Sequence, residues 1–279
     1  MENPTFYLEA KYSYELVHRK NMCNSLIPPH IHDSAEIYLN LSSLPNILLG
    51  NRVMTAAPGT LIIIPPFCVH RLFDRTDEIY DRYILSINLS WLDSVLVNGN
   101  VEYEYLKNPE MPLLLPLSPS EPGRLQQSFE ELLSLNESDT FHKLSGFFRC
   151  MSIINNTVKQ NHTDNDKTIK SSATQQMVSD IIRYLNEHTD RNVTLQELSG
   201  HFYLNPDYIS RIFKKHTNST VGNYITLQKM ARAKQLLLEG YTITQVQIMT
   251  GYSSYAHFSR TFRKQTGMTP GAYRGESLK

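Results

Sequence analysis

Ile243-Thr-Gln-Val-Gln-Ile-Met-Thr-Gly251-Tyr-Ser-Ser-Tyr-Ala-His-Phe-Ser-Arg260-Thr-Phe-Arg-Lys-Gln-Thr-Gly267-Met-Thr-Pro270-Gly-Ala-Tyr273-Arg274 reads as two helices around a sharp turn. Ile243, Val246 and Ile248 form an apolar stripe on the first, and Gly251 supplies the positive φ that stops it. Ser253 or Ser254 caps the second helix, where Phe258 and Phe262 stand at i and i+4 on one face. Tyr255, Ala256, Ser259, Arg260 and Arg263 fall opposite. A short helix, a Gly turn and a basic second helix make a helix-turn-helix unit, although a plain helical hairpin would satisfy the same pattern.

The same grammar recurs upstream and decides between the two. Thr194 and Glu197 suggest a capping box ahead of a short helix, and Asn205 then caps a second helix with Pro206 at its first position. Ile209 and Phe213 stand where Phe258 and Phe262 stand, and Ser210-Arg211 where Ser259-Arg260 stand. Between the units, Tyr224 to Leu238 is predicted helical, with Ile225, Met230, Ala233, Leu236 and Leu237 apolar.

The pieces Ile209-Ser-Arg-Ile-Phe-Lys-Lys, Gly251-Tyr, Phe258-Ser-Arg-Thr-Phe-Arg-Lys and Gly267-Met-Thr-Pro-Gly-Ala-Tyr-Arg resemble, in order and spacing, the DNA-binding domain of AraC/XylS-family transcriptional regulators. The resemblance covers the last hundred or so residues and implies two helix-turn-helix units joined by one long helix. Ser199 and Gln247 depart from it by standing at usual Ala positions, and Asn218 by replacing Gly. Asn tolerates the left-handed conformation, so that turn should survive. Gln247 brings an amide to a helix–helix contact and puts the packing of the second unit in question.

Length and charge fit this division. A chain of 279 residues is long enough for two cores. Its formal net charge is zero, but residues 174–279 hold 13 Lys and Arg against 7 Asp and Glu, while residues 1–173 hold 14 against 20. A basic C-terminal part suits nucleic acid. The N-terminus carries no signal-peptide pattern, and the aliphatic run Leu61–Ile64 is far too short to span a bilayer, so no membrane partner is expected. Cys23, Cys68 and Cys150 have no metal-like spacing and suit a reducing cytoplasm.

Residues 1 to about 110 read as short strands, with candidates Ile37–Leu41, Ile47–Leu49, Thr60–Ile64 and Tyr83–Asn88 between Pro- and Gly-rich turns. That pattern predicts an all-β barrel or sandwich. His30-Ile-His32-Asp-Ser-Ala-Glu36, Pro58-Gly59 to Pro65 and His70 resemble the double-stranded β-helix of cupins, which implies a small-molecule sensor in this family. His30, His32, Glu36, Tyr38 and His70 are therefore the expected effector residues, the effector being a sugar or related metabolite. If even-numbered residues face inward, Glu36, Tyr38 and Asn40 line a polar cavity, and Ile37, Leu39 and Leu41 pack outside. Metal-binding cupins use such His and Glu residues as ligands, but no metal, cofactor or catalytic residue is expected here.

Residues 118–161 change to helical periodicity. Ser118-Pro-Ser-Glu121 reads as a capping box with Pro at the first helical position, ahead of Leu125, Phe129, Leu132, Leu133 and Leu135 on an inner face. A second helix carries Phe141, Leu144, Phe147, Phe148, Met151, Ile154 and Val158. The resemblance implies a dimerisation pair, with Leu125, Phe129, Phe147 and Met151 between subunits; the alternative is that both helices cover the barrel. The expected domains are thus residues 1–161, a polar linker at 162–173, and 174–279.

On the first recognition helix, Asp207, Tyr208, Ser210, Arg211, Lys214 and Lys215 form the expected front. On the second it is Tyr255, Ala256, Ser259, Arg260, Arg263 and Lys264. Arg211 and Arg260 sit mid-helix, where the resemblance implies base contact and where Arg can read guanine bidentately. The Lys residues and Arg263 lie near helix ends and suit phosphates. The expected function is an effector-controlled, homodimeric, double-stranded-DNA-binding regulator, meeting RNA polymerase if it activates. A cupin metalloenzyme anchored to DNA, or a front domain that only dimerises, are the competing readings.

Overall fold

Thr60-Leu-Ile-Ile-Ile64 and Ala35-Glu-Ile-Tyr-Leu-Asn40 are buried along their whole length, so both faces of these strands must be covered. The computed structural model describes residues 13–23, 28–72, 76–96, 103–108, 112–136, 139–161 and 172–277, and shows how. Strands β1 (Tyr14–Cys23), β2 (Ala35–Asn40), β3 (Leu44–Leu49), β4 (Arg52–Ala56), β5 (Thr60–Ile64), β6 (His70–Arg71), β7 (Thr76–Ile87) and β8 (Leu113–Pro116) build two antiparallel sheets, in the orders β1-β7-β2-β5-β8 and β4-β3-β6.

Register sets the two faces. Tyr38 stands opposite Ile62 on β5 and Ile84 on β7, and these three join Ile47, Leu49 and Met54 of the smaller sheet in one core between the sheets. Ile37 and Leu39 stand opposite Ile63 and Leu61, on the other face. That face is covered by α2 (Glu121–Ser134) and α3 (Thr140–Asn161), with α1 (Leu89–Val95) and a 3-10 turn (Glu104–Leu106) at its margin. The alternation predicted for β2 is therefore the observed one.

The helical pair corrects the expected intersubunit contact. Leu125, Phe129, Phe147 and Met151 are buried in their own chain against the large sheet, and Phe147 stacks on Tyr14 with ring centroids 4.4 Å apart. Covering each of these side chains removes apolar area worth roughly 1.5–3 kcal/mol, which leaves none of them for a partner. Leu133 and Phe141, expected inside, are exposed; Phe141 is 87% accessible. The start of α2 also differs: the helix begins at Glu121 with Pro122 in its first turn, and the backbone N–H of Ser118 donates to Glu121 Oε2 at 2.7 Å.

The helical part comprises α4 (Ala173–Glu187), α5 (Leu195–Phe202), α6 (Pro206–Thr217), α7 (Val221–Leu238), α8 (Ile243–Met249), α9 (Tyr255–Thr266) and α10 (Pro270–Ser277). Residues 172–176, read as linker in part, instead start α4: Ser172 and Gln175 form its capping box. The remainder of that polar stretch, 162–171, lies outside the described residues, as does the extreme N-terminus. Helix α7 is shared between two cores. Its Val221, Tyr224 and Ile225 pack with Ile209, Ile212 and Phe213, whereas Met230, Ala233, Leu236 and Leu237 pack with Val246, Phe258 and Phe262.

Candidate functional site

The two helix-turn-helix units repeat several caps and turn contacts. Thr194 and Thr242 accept from the backbone of Glu197 and Gln245, and Asn205 and Ser254 cap α6 and α9. Thr217 donates to Phe213 O at 2.8 Å as Thr266 donates to Phe262 O at 2.9 Å. The helices end in left-handed residues, Asn218 at φ 56° and Gly267 at φ 80°, so Asn does serve in place of Gly. The two departures at Ser199 and Gln247 share one job. Ser199 Oγ donates to Leu204 O at 2.6 Å, and Gln247 Nε2 donates to Tyr252 O, each tying the first helix of its unit to the turn.

Two local expectations need correction. The capping box at Thr194 is half formed, because the Glu197 carboxylate turns to Arg191, at 2.6 and 2.9 Å, and to the Tyr184 hydroxyl at 2.8 Å. These partners hold its pKa down at about 2. On α8, Ile248 is 65% exposed; Val246 and Thr250, one turn apart, are the buried positions. Gly251, at φ 68°, is required twice over: a Cβ there would stand 2.0 Å from Asp190 O.

Every expected front residue of α6 and α9 is open to solvent. Asp207, Arg211, Lys214, Lys215, Tyr255, Ala256, Arg260, Arg263 and Lys264 are exposed, while Tyr208, Ser210 and Ser259 are half-buried at the edges. The cations fall in equivalent pairs, 211 with 260, 214 with 263 and 215 with 264, at a constant offset of 49 positions. Arg211 lies over the Tyr208 ring at 5.3 Å, and Arg260 Nε donates to Ala256 O at 3.2 Å, so both guanidiniums are steadied from one turn back.

The second constellation lies at the other end of the chain. His30 and His70 form an antiparallel bridge, exchanging N–H···O bonds of 3.1 Å. Glu36 Oε2 accepts from the Tyr38 hydroxyl at 2.8 Å and lies 3.0 Å from His32 Nε2 and 3.7 Å from His70 Nε2. The structure thus brings all five expected residues together. Burial opposes charge on each group, yet the His32–Glu36 contact prevails, raising the His32 pKa and lowering that of Glu36. Burial and the neighbouring imidazoles leave His70 neutral, its pKa near 4, and lower that of His30 as well. Beside Tyr38, apolar side chains fill the space between the sheets. Asn40 serves the backbone instead, donating to Ser42 O at 2.5 Å and Ala57 O at 3.1 Å.

The residues next to this cluster, which the sequence did not single out, hold the helical part. Asp33 accepts from Lys234 Nζ at 2.6 Å and the Tyr273 hydroxyl at 2.7 Å, in the second unit. Arg71 Nη2 donates to His216 O at 2.7 Å, in the last turn of α6. Val53, on edge strand β4, donates its N–H to Ser179 Oγ at 2.8 Å, and Leu48, Val53 and Val69 enter the apolar core of the first unit. A polar cleft of about 680 Å³ opens beside this contact, bordered by Asn51, Asn108, Arg183, Gln228 and Arg232. Only their adjacency to His32 and His70 could have flagged Asp33 and Arg71.

Comparison with known proteins finds two family matches, which meet inside the helical part. Residues 14–196 match the AraC-like ligand binding domain, and residues 198–276 a helix-turn-helix domain. The melibiose operon regulatory protein of Escherichia coli is 25% identical over 256 residues, which is 88% of this chain and 82% of that protein. Regulatory protein SoxS of Escherichia coli is 30% identical over 101 residues, 36% of this chain and 94% of SoxS. Regulatory protein PocR of Salmonella typhimurium is 31% identical over 94 residues, 33% of this chain and 31% of PocR. Among solved structures, ToxT from Vibrio cholerae aligns over 94% of this chain and 97% of its own at 16% identity, with a TM-score of 0.38. With the ligand-binding match alone spanning more than half its length and the helix-turn-helix match following it, the chain belongs to the AraC family of DNA-binding transcriptional regulators.

Proposed function

We propose that this regulator reads two successive major-groove segments, about 34 Å apart, with α6 and α9, and that a small molecule held by the strand-rich part adjusts how the two helices are presented. The equivalence of the paired cations on two matched, solvent-facing helices carries the first half of this reading. Arg211 and Arg260 read bases, and Lys214, Lys215, Arg263 and Lys264 neutralise phosphates. Asp207, Tyr208, Ser210, Tyr255, Ala256 and Ser259 complete the two faces.

The second half rests on the contacts behind the units. Asp33 grips the second unit and Arg71 the first, and both belong to the segments that carry His32 and His70. A ligand that shifts those segments changes the relative orientation of α6 and α9 without touching either front. It can do so only by its differential affinity for the two arrangements. The effector class is a sugar or related metabolite, in keeping with the name of the melibiose operon relative. The chain works as a homodimer in the cytoplasm, without catalysis, and meets RNA polymerase where it activates.

The test is DNA binding by the full chain, on a duplex enriched from a random pool and on a scrambled duplex, with and without a panel of sugars. Preference for the enriched duplex, altered by one sugar class, is expected. Equal affinity for both duplexes contradicts DNA reading, and indifference to the whole panel contradicts the effector class.

A further inference from the structure

The three histidines of the strand-rich part share one feature of hydrogen bonding. Nδ1 of His30 lies 3.2 Å from Pro28 O, that of His32 2.8 Å from Ser34 O, and that of His70 3.0 Å from Cys68 O. A carbonyl oxygen can only accept, so in each ring the Nδ1 carries the hydrogen. In the neutral imidazole this leaves the Nε2 lone pair as the ligand. Nitrogen atoms from all three rings lie within 4.8 Å of one another, and Glu36 Oε2 stands beside two of them. His70 Nε2 is buried and makes no hydrogen bond. A buried acceptor left unmade is costly, and two Nε2 atoms beside one carboxylate, with a third imidazole in reach, are an arrangement that a cation completes.

We propose that His30, His32 and His70, through Nε2, and Glu36, through one carboxylate oxygen, bind a divalent first-row transition metal ion. The donor set decides the class: three imidazoles and one carboxylate suit zinc, iron, nickel or copper, whereas magnesium and calcium need oxygen ligands. The spacing fits. Donors about 2.0–2.1 Å from a tetrahedral ion stand about 3.4 Å apart, and the separations of 3.0 and 3.7 Å from Glu36 to His32 and His70 bracket that value. The three histidine nitrogens lie within 4.8 Å of one another, and a rotation of His30, the half-buried ring of the three, would narrow that spread. The three carbonyls are the outer shell that fixes tautomer and orientation in histidine metal sites. Asp33 stays outside the ligand set, because Lys234 and Tyr273 occupy its oxygens. The sequence assigned these side chains to an effector cavity without metal; the hydrogen-bond geometry assigns them a metal as well, independently of DNA binding.

Titration calorimetry of the full chain with Zn²⁺, after removal of metal by a chelator, tests this directly. One Zn²⁺ should bind per chain and raise the thermal midpoint by mass action, while Mg²⁺ should do neither. His70→Ala and Glu36→Gln should each weaken Zn²⁺ at least 10-fold, and His142→Ala, in an exposed histidine outside the cluster, should leave it unchanged. Should His70→Ala fail to fold, His30→Ala replaces the half-buried ligand and must show the same loss. The proposal is overturned if the native chain takes no Zn²⁺, if Mg²⁺ binds equally well, or if folded His30→Ala and Glu36→Gln variants bind as the native chain does.

Discussion

Asp33 and Tyr273, 240 positions apart, are joined by a 2.7 Å hydrogen bond from the tyrosine hydroxyl to Oδ2. The other oxygen of the same carboxylate takes Lys234 Nζ at 2.6 Å. One side chain, next to His32, thus touches both the shared helix α7 and the last helix α10. Asp33→Asn should destabilise the full chain by about 1–2 kcal/mol, since Lys234 is nearly buried and loses its counter-charge while Asp33 itself stays partly solvated. A double-mutant cycle of Asp33→Asn with Tyr273→Phe, followed by urea unfolding, should give a coupling above about 0.5 kcal/mol. Strict additivity would mean that the contact is not energetically formed.

Gly251 and Gly267 both have positive φ but different surroundings, and this separates backbone strain from crowding. Gly267→Ala, with no atom within 4 Å of the new Cβ, should cost about 1 kcal/mol. Gly251→Ala drives its Cβ into Asp190 O and must move the loop joining α4 to α5, so its cost should be clearly larger, on the order of 3 kcal/mol. Equal unfolding midpoints for the two variants would contradict the close approach.

Glu197 gives a pH dependence with a definite sign. Its folded pKa, about 2, lies below the unfolded value, so its contribution is present above the unfolded pKa of about 4.3 and is lost as pH falls through about 2. In Arg191→Ala the carboxyl should titrate closer to its ordinary value, as followed by NMR of the side-chain carboxyl. An unchanged Glu197 titration would show that Arg191 is not the partner that holds it.

Phe147→Ala should destabilise by about 3–5 kcal/mol, because the ring is buried beneath the large sheet. Phe141→Ala, at an exposed position on the same helix, should change stability little. Similar effects of the two on denaturant unfolding would contradict the assignment of the inner face.

Much of this was legible in the sequence because it is local. The caps at Thr194 and Asn205, the left-handed Asn218 and the Phe258/Phe262 pair depend on neighbours within a turn or two. Strand β5 announced itself as an aliphatic run because both its faces are buried. Strand β1 was missed: it is an edge strand carrying Glu15, His18, Arg19 and Lys20, and charge of that kind hides strand character. Gln247 looked disruptive because its partner, the Tyr252 carbonyl, becomes visible only once the turn is folded. The amphipathic faces of α2 and α3 could be read, but periodicity does not say whether a sheet or a second chain covers them. The five cluster residues were legible as a group; the carbonyls that set their tautomers, and the reach of Asp33 and Arg71 into the helical part, were not.

The most direct test of base reading by α6 and α9 is the salt-dependent affinity of the native chain, Arg211→Ala, Arg260→Ala and Lys214→Ala for an enriched duplex and a scrambled one. If the two arginines read bases, each Arg variant should lose about 1–3 kcal/mol on the enriched duplex and much less on the scrambled one. Lys214→Ala should weaken both duplexes alike and reduce the slope of log affinity against log salt by about 0.9. Equal losses on the two duplexes for both Arg variants would contradict sequence reading by these helices.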